Sequence, residues 1–193
     1  KSPRNPRIDW EGQPLVYRYL FNSPETVDLR FFDLMLATNT DEALRIAAES
    51  GTPIINVLVG DRAGKVGWTI AGRLPRRVGK TGSQIVSWAD GSNTWSGWLS
   101  PAEHPRLSSP EVSRVFSANH RQLGSDAYLS LARASSELGA RAKQIRDALA
   151  GLTNATSADM VAIQLDDRAL LLERWRELLL TTLRDPKAHA ALM

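Results

Sequence analysis

The chain has 193 residues, of which 42% are hydrophobic and 23% charged, a balance that excludes a disordered tail or a fibrous repeat. No apolar run reaches the roughly 18 residues of a membrane-spanning helix, and 24 basic against 21 acidic residues leave a formal charge of only +3, too small and scattered to argue for nucleic acid. The absence of cysteine excludes disulfides, thiol nucleophiles and thiolate metal sites, and His104, His120 and His189 are too far apart for a histidine-built zinc site.

The first residues, Lys1-Ser2-Pro3-Arg4-Asn5-Pro6-Arg7, are polar and lack the apolar core of a signal peptide. With no initiator Met, the chain reads as a piece of something longer. Leu15 to Phe21 has strand composition, and Val27 to Leu36 is apolar but ambiguous between strand and helix. Asn39-Thr40-Asp41-Glu42 predicts a helix start, with a capping residue and acids in the first turn. Ala43, Leu44, Ile46 and Ala47 supply its apolar stripe, and Gly51 suits its C-terminal cap.

Pro53 to Val59 reads as a strand and Lys65 to Ile70 as its return, with Val66, Trp68 and Ile70 on one face. Gly60-Asp61-Arg62-Ala63-Gly64 between them makes a β-hairpin with a glycine-containing loop. From Gly72 to Pro110 runs a long irregular connection holding Trp88, Trp95 and Trp98. A loop of that length packs on something or serves a site. The remainder is helical. One helix is predicted from Ser125 or Asp126 to about Ala134, and another from Ser136-Glu137 to Ala150, stopped by Gly151. A third starts at Thr156-Ser157-Ala158-Asp159, and Leu170 to Leu183 form an apolar run ended by Pro186.

The residues alone assemble no self-sufficient active site. Asp166-Asp167 fall in a helical pattern, where adjacent carboxylates point about 100° apart and do not chelate one ion; a solvated helix face explains them. Gly60 to Lys65 lacks P-loop spacing and reads as a hairpin turn. Gly79-Lys80-Thr81-Gly82 reads as a loop. No serine lies in a G-x-S-x-G elbow. Large aromatics are usually core, and we assign Trp68, Trp95 and Trp98 there.

Three segments carry a resemblance. Asn56…Asp61-Arg62-Ala63-Gly64-Lys65-Val66-Gly67-Trp68 with Gly72-Arg73-Leu74-Pro75-Arg76-Arg77 is the first. Trp95-Ser96-Gly97-Trp98-Leu99-Ser100-Pro101…Pro105…Ser109-Pro110 is the second, and Ser117-Ala118-Asn119-His120 with Arg141 downstream is the third. In order and spacing they resemble the β-chain of penicillin acylases, within the N-terminal-nucleophile hydrolases, over roughly residues 53–170.

The resemblance implies an α+β fold, part of an αββα sandwich, with hairpins followed by a helical C-terminal part. Residues 1–193 are then one incomplete domain: a mixed strand and helix lead-in over 1–52, a hairpin over 53–77, a long loop region with short strands over 78–124 and helices over 125–185. It also implies hydrolysis of an acyl amide, such as a penicillin or cephalosporin side chain or an acyl-homoserine lactone. The nucleophile is an N-terminal serine whose own α-amino group is the base. Asn119 matches the side-chain donor of the oxyanion hole, since a carboxamide NH₂ donates without losing a proton. Arg141 matches the arginine beside the catalytic amine, where a fixed positive charge disfavours amine protonation. From the residues alone, Asn119 as a loop-bending residue and Arg141 in an ion pair with Glu137 are the plainer readings.

His120 stands where the family often has a second Asn. The nucleophile, its strand and the backbone oxyanion donor belong to missing upstream α-chain and β-chain segments, so this chain alone is expected to be inert. The family's calcium acid aligns with Ser130, so no cofactor or metal is carried over, although the full-length fold has room for calcium. The substrate is a small-molecule acyl amide, and no substrate-binding residue is assigned. Neither nucleic acid nor membrane is expected as a partner. Uncovered apolar faces, Leu15 to Leu20 and Leu170 to Leu183, predict self-association or burial against the absent segments. The family is periplasmic or secreted. A non-catalytic acylase-like domain for assembly or ligand binding is the alternative.

Overall fold

A side-chain oxygen at Asn39 starts the first helix. In the computed structural model, which describes residues 7–79, 84–124 and 136–184, Asn39 Oδ1 accepts from the Glu42 N–H at 2.9 Å and opens α1 (Thr40–Glu49). This satisfies one orphan donor of the first turn. Ser50 is the C-terminal cap, one residue before the expected Gly51. Gly51 is required for a different reason: a Cβ there would collide with the backbone at Val27 and Asp28. Asp28 Oδ1 accepts from the N–H groups of Gly51 at 2.8 Å and Arg30 at 2.9 Å, and Asp28 N–H donates to the Gly51 carbonyl at 2.9 Å.

The described residues fall into two compact units, one of 7–117 and 121–124, the other of 118–120 and 136–184. The first begins with a small hairpin, β1 (Arg7–Trp10) and β2 (Gln13–Val16). The expected strand over Leu15–Phe21 ends early, and Leu20–Asn22 is a 3₁₀ turn. The ambiguous run over Val27–Leu36 resolves as a 3₁₀ helix, Arg30–Leu36.

The predicted central hairpin is present. Strands β3 (Ile55–Gly60) and β4 (Val66–Ala71) pair antiparallel, with Leu58 opposite Trp68. The long connection after Gly72 is more ordered than its composition suggests. It contributes β5 (Pro75–Val78) and β6 (Thr94–Trp98), which pair with each other, and β7 (Arg106–Ser108), which pairs with β4.

Strand β4 is buried almost throughout because both its faces are covered. Alternation puts Gly67, Thr69 and Ala71 on one face and Val66, Trp68 and Ile70 on the other. A Cβ at Gly67 would press on Leu44 Cδ1 and Thr40 Cγ2, so the missing side chain lets α1 lie close against the strand. On the other face Trp68, Ile70 and Leu74 form the core, joined by Leu99, Leu107, Val115 and Leu123. Trp68 meets the expectation of a core residue, with its indole N–H donating to Asn56 Oδ1 at 2.9 Å. Truncation of so large a buried ring costs about 3–5 kcal/mol. Trp95 and Trp98 are half-buried, which corrects their assignment to the core: they sit on the small β5–β6 sheet.

The second unit is helical. α2 (Ala140–Ala150) ends at Gly151 as predicted. α3 (Ser157–Gln164) starts with a reciprocal capping box, in which Thr156 and Asp159 each satisfy the other's backbone N–H. α4 (Leu170–Arg184) exposes Leu172, Trp175, Leu178 and Leu179. Asp166 and Asp167 lie between α3 and α4 rather than on a helix. Asp166 takes two bonds from the Arg168 guanidinium, one from the Arg168 backbone N–H and one from Gln144, and these, the Arg168 side chain first, hold its carboxyl well below the usual range. The architecture is mixed α and β, with small antiparallel sheets and helices. The helix expected from Ser125 or Asp126, the loop at Lys80-Thr81-Gly82, Ser130 and the stop at Pro186 lie outside the described residues.

Candidate active site

The two residues singled out by the third motif meet in the helical unit. Asn119 has φ of 60°, the left-handed region that asparagine tolerates better than most residues. Its backbone carbonyl accepts from the Glu137 N–H at 2.8 Å, which ties this turn to the segment leading into α2. Arg141, the second residue of α2, sends Nη2 back to Asn119 Oδ1 at 3.0 Å and to the Ala118 carbonyl at 3.2 Å. Its guanidinium therefore turns to the turn at residues 118–119, not to Glu137.

A guanidinium only donates. The carboxamide atom facing it must be the oxygen, so the Asn119 NH₂ is directed the other way. Both Asn119 and Arg141 are exposed, while Ala118, the residue before Asn119, is buried. His120 follows, with Nδ1 accepting from the Ala118 N–H at 3.4 Å. The turn thus presents a neutral donor whose orientation is set by a cation, in a backbone conformation held at both ends.

Sequence reasoning found both residue types but not their contact, since 22 positions separate them and nothing local links them. Their positive-φ turn carried no signal beyond the asparagine itself. No cluster of three or more metal-ligating side chains occurs among the described residues, and no helix among them is long and apolar enough to cross a membrane.

Comparison with known proteins adds an independent finding. The chain is 27% identical over 152 residues to an acyl-homoserine lactone acylase QuiP of Pseudomonas fluorescens strain Pf-5, covering 77% of this chain and 18% of the relative. It is 31% identical over 149 residues to the protein of the same name from strain Pf0-1, covering 76% and 17%. It is 31% identical over 71 residues to the penicillin acylase 2 proenzyme of Pseudomonas sp. strain SE83, covering 37% and 9%. The chain thus spans less than a fifth of the length of these curated relatives. A family model described as penicillin amidase matches residues 5–193, nearly the whole of it. The chain belongs to the penicillin amidase family.

Proposed function

We propose that this chain is the part of an acylase that supplies an oxyanion donor for hydrolysis of an acyl amide. The Arg141 bond to Asn119 Oδ1 at 3.0 Å carries this reading, because it presets which end of the carboxamide is free to donate. In the proposed mechanism a serine from another part of the whole protein, at a chain N-terminus, attacks the amide carbonyl. Its α-amino group has a pKa near 8 in its ordinary state and accepts the hydroxyl proton. Asn119 Nδ2 donates to the oxygen that becomes negative in the tetrahedral intermediate, and does so without reorganising. Arg141 keeps the amide from flipping, and its positive charge opposes protonation of the nearby amine. The tetrahedral intermediate collapses to an acyl-serine as the protonated leaving amine departs, and water then releases the carboxylic acid.

The names of the relatives support acyl-homoserine lactones and penicillins as substrates. The proposed setting is the αββα sandwich of N-terminal-nucleophile hydrolases, in a periplasmic or secreted protein. The decisive experiment assays the whole acylase on both amides, with Asn119→Ala beside the unaltered enzyme. Loss of one oxyanion donor should lower turnover by roughly 10²–10³-fold. Undiminished turnover removes Asn119 from the mechanism and leaves a non-catalytic acylase-like domain as the reading.

A further inference from the structure

In the first unit, far along the chain from Asn119, cations gather on one indole. Arg77 and Trp95 are cross-strand partners in the β5–β6 sheet, and the Arg77 Cζ lies 5.2 Å from the Trp95 ring. Arg18, from the segment after β2, brings its own Cζ to 4.2 Å from that ring and 4.9 Å from the ring of Trp88. The two indoles meet edge to face with centroids 6.1 Å apart.

Two features of this cluster are unbalanced. Arg18 forms no ion pair with any described residue; its guanidinium rests on the two rings. The indole N–H of Trp95 is buried and has no acceptor. Arg18 is exposed, so its N–H groups are open to a ligand from solvent, while the Trp95 N–H is a buried donor without an acceptor, beside a second cation. Burial lowers the affinity of both guanidiniums for their protons, and at Arg77 the charge of Arg18 adds to it. Neither arginine escapes by deprotonation at ordinary pH. A buried donor without an acceptor and a pair of like charges are both relieved by an anion rich in acceptor oxygens.

Stacking selects the form of that anion. A guanidinium on an aromatic face spends its π surface and keeps its N–H groups in the plane, where they match the two oxygens of a carboxylate. Trp88 and Trp95 offer apolar surface beside that edge. We propose that Arg18, Arg77, Trp88 and Trp95 form a binding site for an organic carboxylate with an apolar or aromatic body. Arg18 grips the carboxylate, Arg77 adds charge, and the indoles flank the body of the ligand. The site is independent of the hydrolytic reading at Asn119.

The test titrates the 193-residue chain with benzoate, acetate and inorganic phosphate at constant ionic strength. The readout is the ¹⁵N-labelled indole N–H resonances. Benzoate should shift the Trp88 and Trp95 signals saturably, with the other indoles unmoved, and bind more tightly than acetate or phosphate. Arg18→Gln should weaken benzoate about 10- to 100-fold, the loss of a charge-assisted hydrogen-bond pair. Arg18→Lys, which keeps the charge and loses the fork, should also weaken it. Overturning results are a non-saturating or delocalised shift with benzoate, tighter binding of phosphate, or benzoate affinity unchanged in either variant. Should both variants fail to fold, the titration of the unaltered chain decides alone.

Discussion

Asn119→Asp separates the two jobs assigned to one carboxamide. The substitution changes a single group, NH₂ to oxygen, and leaves shape and volume intact. Aspartate shares asparagine's tolerance of the left-handed backbone, so φ of 60° adds little strain. The Arg141 bond at 3.0 Å becomes an ion pair on an exposed surface, worth about 0.2–1 kcal/mol at most. Folding stability of the 193-residue chain, read by urea unfolding, should therefore stay level or rise by up to about 1 kcal/mol. Asn119→Ala should instead lose about 1–2 kcal/mol, from the bond to the guanidinium and from the short polar side chain that lets asparagine occupy the left-handed region.

Activity should show the opposite order. Aspartate has no donor at the Nδ2 position and sets a negative charge where an oxyanion must form. In the whole acylase, Asn119→Asp should lose at least the roughly 10²–10³-fold expected of Asn119→Ala, despite being the more stable variant. Two results refute the reasoning. If Asn119→Asp unfolds as readily as Asn119→Ala, the Arg141 contact does not hold the turn. If Asn119→Asp keeps its turnover, the NH₂ is not a catalytic donor.

Three further predictions concern the fold. His104 is buried, with Nδ1 at 3.4 Å from the Ile70 carbonyl and no partner for Nε2. Burial pushes the imidazole below its usual range, against the smaller opposing pull of the Ile70 carbonyl and Glu103. The unfolded chain then binds the extra proton first, so this contribution to stability is complete above about pH 6.5 and is lost as pH falls toward the lowered folded value. Urea midpoints from pH 7.5 to 5 should fall, and His104→Gln should flatten that slope; an unchanged slope rejects the assignment. Gly51→Ala should destabilise the chain by about 1–3 kcal/mol, because its Cβ meets backbone at Val27 and Asp28 rather than a yielding side chain; a thermal midpoint equal to that of the unaltered chain would contradict the close approach. The exposed Leu172, Trp175 and Leu179 of α4 should drive self-association, seen as a concentration-dependent elution volume that Leu172→Lys with Leu179→Lys abolishes; a monomer at every concentration argues against it.

What the sequence announced was mostly local. Asn39 with acids after it marks α1, Gly60 to Gly64 marks the turn of the β3–β4 hairpin, and Thr156 with Asp159 marks α3. Each signal is a short-range hydrogen bond or a backbone preference, readable within five residues. The misses have physical reasons too. The β1–β2 turn has Glu11 and Gly12 at φ of 49° and 75°, and glutamate is a poor advertisement for a left-handed turn that usually shows Asn-Gly or Asp-Gly. The β5–β6 pairing joins Arg77 to Trp95 across a stretch rich in glycine, serine and asparagine, so neither strand shows its partner. Burial of both faces of β4 depends on α1 meeting Gly67, a contact between residues more than 20 positions apart.

The candidate site shows the same division at higher resolution. A residue's chemistry is a property of its type, but type alone favours a loop-bending Asn119 and an ion-paired Arg141; only their place in the third family-like segment singles them out. A residue's direction is a property of its neighbours. Asn119 is a donor toward one side only because Arg141 is a donor toward the other, and because the Glu137 N–H holds the backbone carbonyl. None of these constraints lies within the Ala118-Asn119-His120 segment. A loop swapped alone into another scaffold would keep its letters and lose its aim, since an unheld carboxamide rotates by 180° at little expense. The proposed catalysis therefore rests on α2 as much as on the asparagine: a helix whose second residue reaches back 22 positions to choose which atom faces the reaction.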